Sequence, residues 1–124
     1  MPLYSLKNLK KPVEFVPHKR EYAIRKKRLT ITQLRRITKK LNSMIKSDEV
    51  HTSSWMPGHY WSGTVFHPIL VRACRRNEDA AAKCFGLLLW EVMMARREDW
   101  SFGRFEKDNI PIEGLTYFKI HRKK

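Results

Sequence analysis

Long apolar runs are missing from this chain: none of its 124 residues lie in a stretch approaching the roughly 18 that a membrane span needs. The first residues also lack the charged, apolar and small-residue order of a signal peptide. Both absences argue against a membrane protein and predict an intracellular one, cytoplasmic, or nuclear if the source is a eukaryote or a virus of eukaryotes. Cysteine is scarce as well. Cys74 and Cys84 are the only two, no Cys-x-x-Cys pair occurs, and a domain of this length needs no disulfide staple, so both are expected as reduced core thiols. The five histidines, His18, His51, His59, His67 and His121, form neither an i, i+4 helical pair nor the Cys/His spacing of a zinc site. No metal and no cofactor are predicted. Internal repeats and low-complexity segments are absent too.

Acidic residues are rare in one place. Residues 1–46 hold 14 Lys and Arg against only Glu14 and Glu21, a net of +12 out of a formal total of +14. Charge needed only for solubility would not be gathered in the first third of the chain, whereas charge that attracts a polyanion would. With 42% hydrophobic and 31% charged residues, the composition is that of a folded domain carrying an unusually charged segment.

What the chain does have is one stretch apolar almost all the way round, Asn77 to Arg97, NEDAAAKCFGLLLWEVMMARR. Asn77 can cap the first turn, Glu78 and Asp79 favour the positive end of the helix dipole, and Arg96 and Arg97 complement the negative end. Ala81, Cys84, Phe85, Leu88, Leu89 and Val92 share a broad face, with Leu87, Trp90 and Met94 behind it, so the helix must be covered on two sides. Gly86, unfavourable in a helix interior, suggests the close approach of another backbone. Glu91 is the odd residue of this helix; a carboxylate there needs a basic partner from a neighbouring element.

Before that helix the chain falls into contrasting pieces. Residues 1–17 carry Leu3, Tyr4, Leu6, Leu9, Val13, Phe15 and Val16 between prolines, an extended arm that either lies over the core or is ordered in a complex. Residues 18–29 are a charge run with Arg25, Lys26, Lys27 and Arg28 in sequence; taken alone, such a run reads as a solvated linker. The division drawn from these features is a basic N-terminal arm, 1–29, and a globular domain, 30–124. Thr30 and Gln33 match a capping box opening a helix through Ser47, with Ile31, Leu34, Ile37, Leu41, Met44 and Ile45 on one side and Arg35, Arg36, Lys39, Lys40 and Lys46 on the other.

Residues 48–67 are a long loop or short hairpin rich in aromatics, Trp55, Tyr60, Trp61 and Phe66, and Pro68 opens a shorter helix to about Arg76 with Arg72, Arg75 and Arg76 outward. Residues 100–105 and 115–121 alternate as strands of a C-terminal hairpin, with Phe102 or Phe118 covering the second side of the central helix. The predicted architecture is a small, helix-rich α+β domain of about three helices with a hairpin packed on a central buried one.

The charge and the aromatics together predict a nucleic-acid-binding protein that grips the phosphate backbone of RNA or DNA through Lys19, Arg20, Arg25, Lys26, Lys27, Arg28, Arg35, Arg36, Lys39, Lys40 and Lys46, with Trp55, Tyr60 and Trp61 stacking on bases or meeting a partner. A stripe of long cations suits backbone contact better than base reading. Two alternatives share the charge: an interaction protein or inhibitor docking an acidic surface of a nucleic-acid-processing enzyme, with Trp55, Met56, Tyr60 and Trp61 as anchors, and a basic metal-independent ribonuclease using histidines such as His59. No residue is assigned a catalytic role.

Overall fold

The computed structural model describes residues 3–5, 12–45, 50–53, 56–57, 61–104, 106–107, 109–111 and 115–120. Its centre is the helix α3, Glu78–Ala95. The Asn77 side chain accepts a hydrogen bond from the Ala80 amide at 3.0 Å, which satisfies one of the free donors of the first turn. The helix is buried on both sides: Ala81, Cys84, Phe85, Leu88, Leu89 and Val92 on one, Trp90, Met93 and Met94 on the other. Gly86 does not fulfil the expectation attached to it. Among the described residues a Cβ built there would meet nothing within 4 Å, so none of their backbones approaches it.

The helices α1, Lys19–Lys26, and α2, Ile31–Ile45, come before α3. α2 opens on the capping box read from the sequence, with the Thr30 amide donating to Gln33 Oε1 at 2.9 Å and the Gln33 amide to Thr30 Oγ1 at 3.0 Å. Ile37, Leu41 and Ile45 of α2 are fully buried in the core that surrounds α3. A charge run that reads as linker is therefore a helix, because Tyr22 on α1 is buried and supplies the anchor that mean hydropathy hides. The expected boundary after residue 29 falls in the turn between α1 and α2, and Leu3, Tyr22 and Leu29 on its N-terminal side all belong to the core.

The other side of α3 is covered by a four-stranded mixed sheet in the order β1-β3-β6-β2, with β1 Leu3–Ser5, β2 Val50–Thr52, β3 Trp100–Gly103 and β6 Thr116–Lys119. The expected hairpin is its middle pair: β3 and β6 run antiparallel with Trp100 opposite Lys119 and Phe102 opposite Tyr117. A two-stranded ribbon of β4 Glu106–Lys107 and β5 Ile110–Pro111 lies in the connection between them. β1 joins β3 in parallel, a pairing that requires the chain to cross over, which it does through all three helices. Trp100 and Tyr117 are fully buried, and Phe102 lies against Trp90 with ring centroids 4.6 Å apart.

Residues 12–17 are held on the core by backbone and by Val13 and Val16. The Val13 amide donates to the Leu3 carbonyl at 2.7 Å, and Trp90 Nε1 donates to the Phe15 carbonyl at 3.1 Å. The Phe15 ring, expected to cover the core, is instead 69% exposed. Leu6 and Leu9 lie outside the described residues.

The helix expected over 68–76 is shorter and wider. A π-helical turn, Ile69–Ala73, is closed by the Cys74 amide donating to the Ile69 carbonyl at 3.0 Å, and the chain then reverses through Arg75 and Arg76, both left-handed at φ 48° and 65°. This reversal lets Asn77 start α3 immediately afterwards. No helix among the described residues is long and apolar enough to cross a membrane.

Candidate functional site

The cations that the sequence groups together fall into two sets with different surroundings. On α1 and the turn after it, three are engaged within the molecule. Lys26 Nζ lies 2.6 Å from Glu91 of α3 and 5.5 Å above the Tyr22 ring, Arg25 approaches Glu21 at 3.9 Å, and Arg28 Nη1 donates to the Ala73 carbonyl at 2.8 Å. Glu91 therefore has the basic partner its position demands. Lys19, Arg20 and Lys27 are exposed. The buried Tyr22 hydroxyl lies beside Glu91, short of a well-formed hydrogen bond, and burial first, then the Glu91 carboxylate, raises its pKa above the usual tyrosine range.

α2 presents Arg35, Arg36, Lys39 and Lys40 to solvent, and among the described residues none of the four is in an ion pair. They form two i, i+4 rows, Arg35 with Lys39 and Arg36 with Lys40, with a cation every ~6 Å along the axis. Because Ile37 and Leu41 lock the opposite side of the helix into the core, these rows are held on a rigid support. Lys46, which would extend the stripe, lies outside the described residues.

The Arg35–Lys39 row borders a groove of about 410 Å³ between the three helices. Leu34, Leu88 and Val92 provide apolar lining, Lys26, Arg35 and Lys39 the cationic rim, and Glu91 a single acid. Ile31, also lining it, is 68% exposed. A second pocket of about 430 Å³ is lined by Arg28, Arg72 and Arg75. In sequence Arg72 and Arg75 lie on the outward side of a short helix, and nothing local links them to Arg28. The link is the long-range bond from Arg28 to the carbonyl of Ala73.

Among the aromatics, Trp55 and Tyr60 lie outside the described residues. Trp61 is half-buried and packs on Phe85 with ring centroids 5.9 Å apart and planes at 49°. Its ring packs at the edge of the core over α3. Of the histidines, His51 is buried against Trp100, with centroids 5.8 Å apart, and its Nε2 is 3.2 Å from the Ile45 carbonyl, to which it must donate. His18 sits exposed and left-handed before α1, at φ 52°. His59 and His121 lie outside the described residues.

No group of three His, Cys, Asp or Glu among the described residues could hold a metal ion. Cys74 and Cys84 are both buried and free; burial and the neighbouring Cys74 thiol push Cys84 up to about 12, and burial also raises Cys74. Both thiols are protonated and unreactive at neutral pH. No protein-family model matches the chain, and no match is found among curated proteins or solved structures.

Proposed function

We propose that this protein binds nucleic acid, RNA or DNA, by contacting the phosphate backbone, and that α2 is the principal contact surface, assisted by Lys19, Arg20 and Lys27. The observation that carries the reading is the pair of unpartnered cationic rows, Arg35/Lys39 and Arg36/Lys40, on a helix whose other side is fixed in the core. The helix fixes the spacing of these guanidinium and ammonium groups, which neutralise phosphates with release of counterions, so that only the side chains have to be ordered on binding. The amide side chains flanking the rows, Gln33 and Asn42, are engaged by the Thr30 cap and by Arg96, which favours backbone contact over base reading. A cytoplasmic or nuclear location goes with this function.

Fluorescence anisotropy with labelled single-stranded RNA, single-stranded DNA and duplex DNA at several salt concentrations tests it. The wild type is expected to lose affinity log-linearly with salt, and the Arg35→Glu/Arg36→Glu/Lys39→Glu/Lys40→Glu variant to bind at least about 100-fold more weakly, since four repulsive charges replace four attractive ones. Weak binding indifferent to both salt and the reversal would remove the reading.

The groove beside α2 supports a second one. Its apolar lining and cationic rim would suit an acidic, amphipathic segment of a protein such as a nucleic-acid-processing enzyme, with exposed Ile31 as an anchor. Binding to such a protein that Ile31→Asp abolishes, without affinity for bare RNA or DNA, would favour this alternative.

A further inference from the structure

We propose that the pocket formed by Arg28, Arg72 and Arg75 is a phosphate-binding site distinct from the α2 surface; it rests on the reading above only in taking the phosphate to be part of a nucleic acid. Three arginines from two distant stretches line one pocket, and among the described residues no carboxylate lines it or forms an ion pair with any of the three. Like charges gathered in this way repel, and a bound anion relieves that repulsion. Glu78 and Asp79 follow closely in the chain, but they lie in the first turn of α3 and are not among the lining residues.

The pocket is also built to hold its charges in place. Arg28 is tethered by one N–H to the Ala73 carbonyl at 2.8 Å, which restricts the swing of its guanidinium and leaves other donors of the fork without a partner among the described residues. That carbonyl belongs to the π-helical turn that bears Arg72, so the tether sets Arg28 and Arg72 against each other. Turns of this type recur at functional sites. The chain then enters the left-handed region at Arg75 and Arg76, φ 48° and 65°, a conformation that Gly or Asn adopts more easily and that brings Arg75 back to the pocket.

The ligand class follows from the lining. At about 430 Å³ and lined, among the described residues, by three arginines, the open pocket offers charge-assisted hydrogen bonds. That lining fits a tetrahedral oxyanion with its water. The phosphate can be a terminal monoester or an internal diester, and the two are separable by experiment.

The first probe is inorganic phosphate, titrated while the Arg side-chain N–H resonances are followed by NMR. The pocket variant is Arg72→Gln/Arg75→Gln, which spares Arg28 and its tether; Arg76→Gln/Arg97→Gln removes the same charge from exposed positions outside the pocket. Phosphate is expected to bind wild type and control alike and the pocket variant about tenfold or more weakly, as befits two lost charge-assisted partners. Equal affinity for pocket variant and control would overturn the site.

The second probe is single-stranded RNA with either a 5′-phosphate or a 5′-hydroxyl. A preference for the 5′-phosphate that the pocket variant loses assigns the site to a terminal monoester; equal weakening of both RNAs, with a shallower salt slope, assigns it to an internal diester. RNA binding untouched by the pocket variant, while inorganic phosphate still distinguishes it from the control, would overturn the assignment to nucleic acid and leave an anion site. Loss of RNA binding only on reversal of the α2 charges would show that outcome to be a failure of the pocket's assignment and not of the α2 reading.

Discussion

Residues 19–28 hold six Lys and Arg in ten positions, and residues 35–40 hold four in six, nearly the same density of charge with opposite use. In the first stretch Lys26 meets Glu91 and Arg28 meets the Ala73 carbonyl, so part of the charge fastens α1 and its following turn to the rest of the molecule. In the second all four cations face solvent. The difference comes from what lies opposite each stretch. α1 crosses α3 where α3 carries its one acidic side chain beyond the first turn, whereas the outer side of α2 meets no carboxylate among the described residues. Counting charge finds a polyanion-binding protein; only the tertiary partners say which charges are free to bind.

The largest effect separating the two sides of α2 is on stability. Leu41→Ala removes a fully buried side chain and is expected to cost ~2–5 kcal/mol in urea unfolding, while Lys40→Glu next to it should stay within about 0.5 kcal/mol. Comparable losses from the two would mean that the cationic rows are structural, and the contrast with α1 would disappear.

Tyr22 sharpens the comparison from the α1 side. Its hydroxyl is buried beside the Glu91 carboxylate, short of a well-formed hydrogen bond, so Tyr22→Phe should change stability at neutral pH by no more than about 1 kcal/mol. Burial and Glu91 raise the tyrosine's pKa from 10.0. A group whose folded pKa is raised favours the folded state below its unfolded pKa, and that contribution is lost as pH rises through the folded value. Stability of the wild type should therefore decline above pH ~10, and the decline should be smaller in Tyr22→Phe. Parallel pH curves for the two proteins would take Tyr22 out of the α1 anchor.

Local signals were legible wherever the physics is local. The Asn77 cap, the Thr30/Gln33 capping box, the apolar rows of α2 and α3 and the alternation of β3 and β6 each follow from spacing within a few residues, and each is present. Glu91's need for a basic partner was legible too, though not that the partner would be Lys26, 65 residues away. The missing pieces depend on long-range partners. α1 reads as linker because only Tyr22 of its eight residues is buried, β1 is a strand only because β3 offers it an edge, and the Arg28 pocket depends on a bond to Ala73, 45 residues away. Trp61 reads from its loop composition as either a core anchor or a stacking residue, and its half-buried ring packs on Phe85. Gly86 was misread for another reason: a glycine in a helix signals either close approach or tolerance, and sequence does not separate them.

The Gly86 outcome gives the next smaller effect. With open space where its Cβ would be, Gly86→Ala should gain ~0.5–1 kcal/mol from helix propensity alone, read as a higher urea midpoint with unchanged slope. A loss would show that the surface of α3 beside Gly86 is closed after all, and that α3 is covered more completely than α2 there.

The smallest effect bears most directly on the difference between the two charged stretches. Lys26 and Glu91 are in contact at 2.6 Å, but their side chains remain 34% and 43% exposed, so solvent screens the pair and Lys26→Ala should cost less than about 1 kcal/mol. Glu91 can turn toward water once its partner is gone, which keeps the cost from rising to that of a buried orphan charge. The informative readout is therefore affinity. Lys26 already neutralises a carboxylate, so its removal also frees a negative charge in the groove beside Arg35 and Lys39; the double variant Lys26→Ala/Glu91→Ala removes both at once. If charge engaged within the molecule is unavailable to a polyanion, the double variant should bind RNA as tightly as wild type, while Lys39→Ala alone should weaken binding and reduce the salt slope by about one. Equal weakening by the double variant and by Lys39→Ala would show that the α1 cations bind the ligand despite their internal partners, and that the two stretches form one surface.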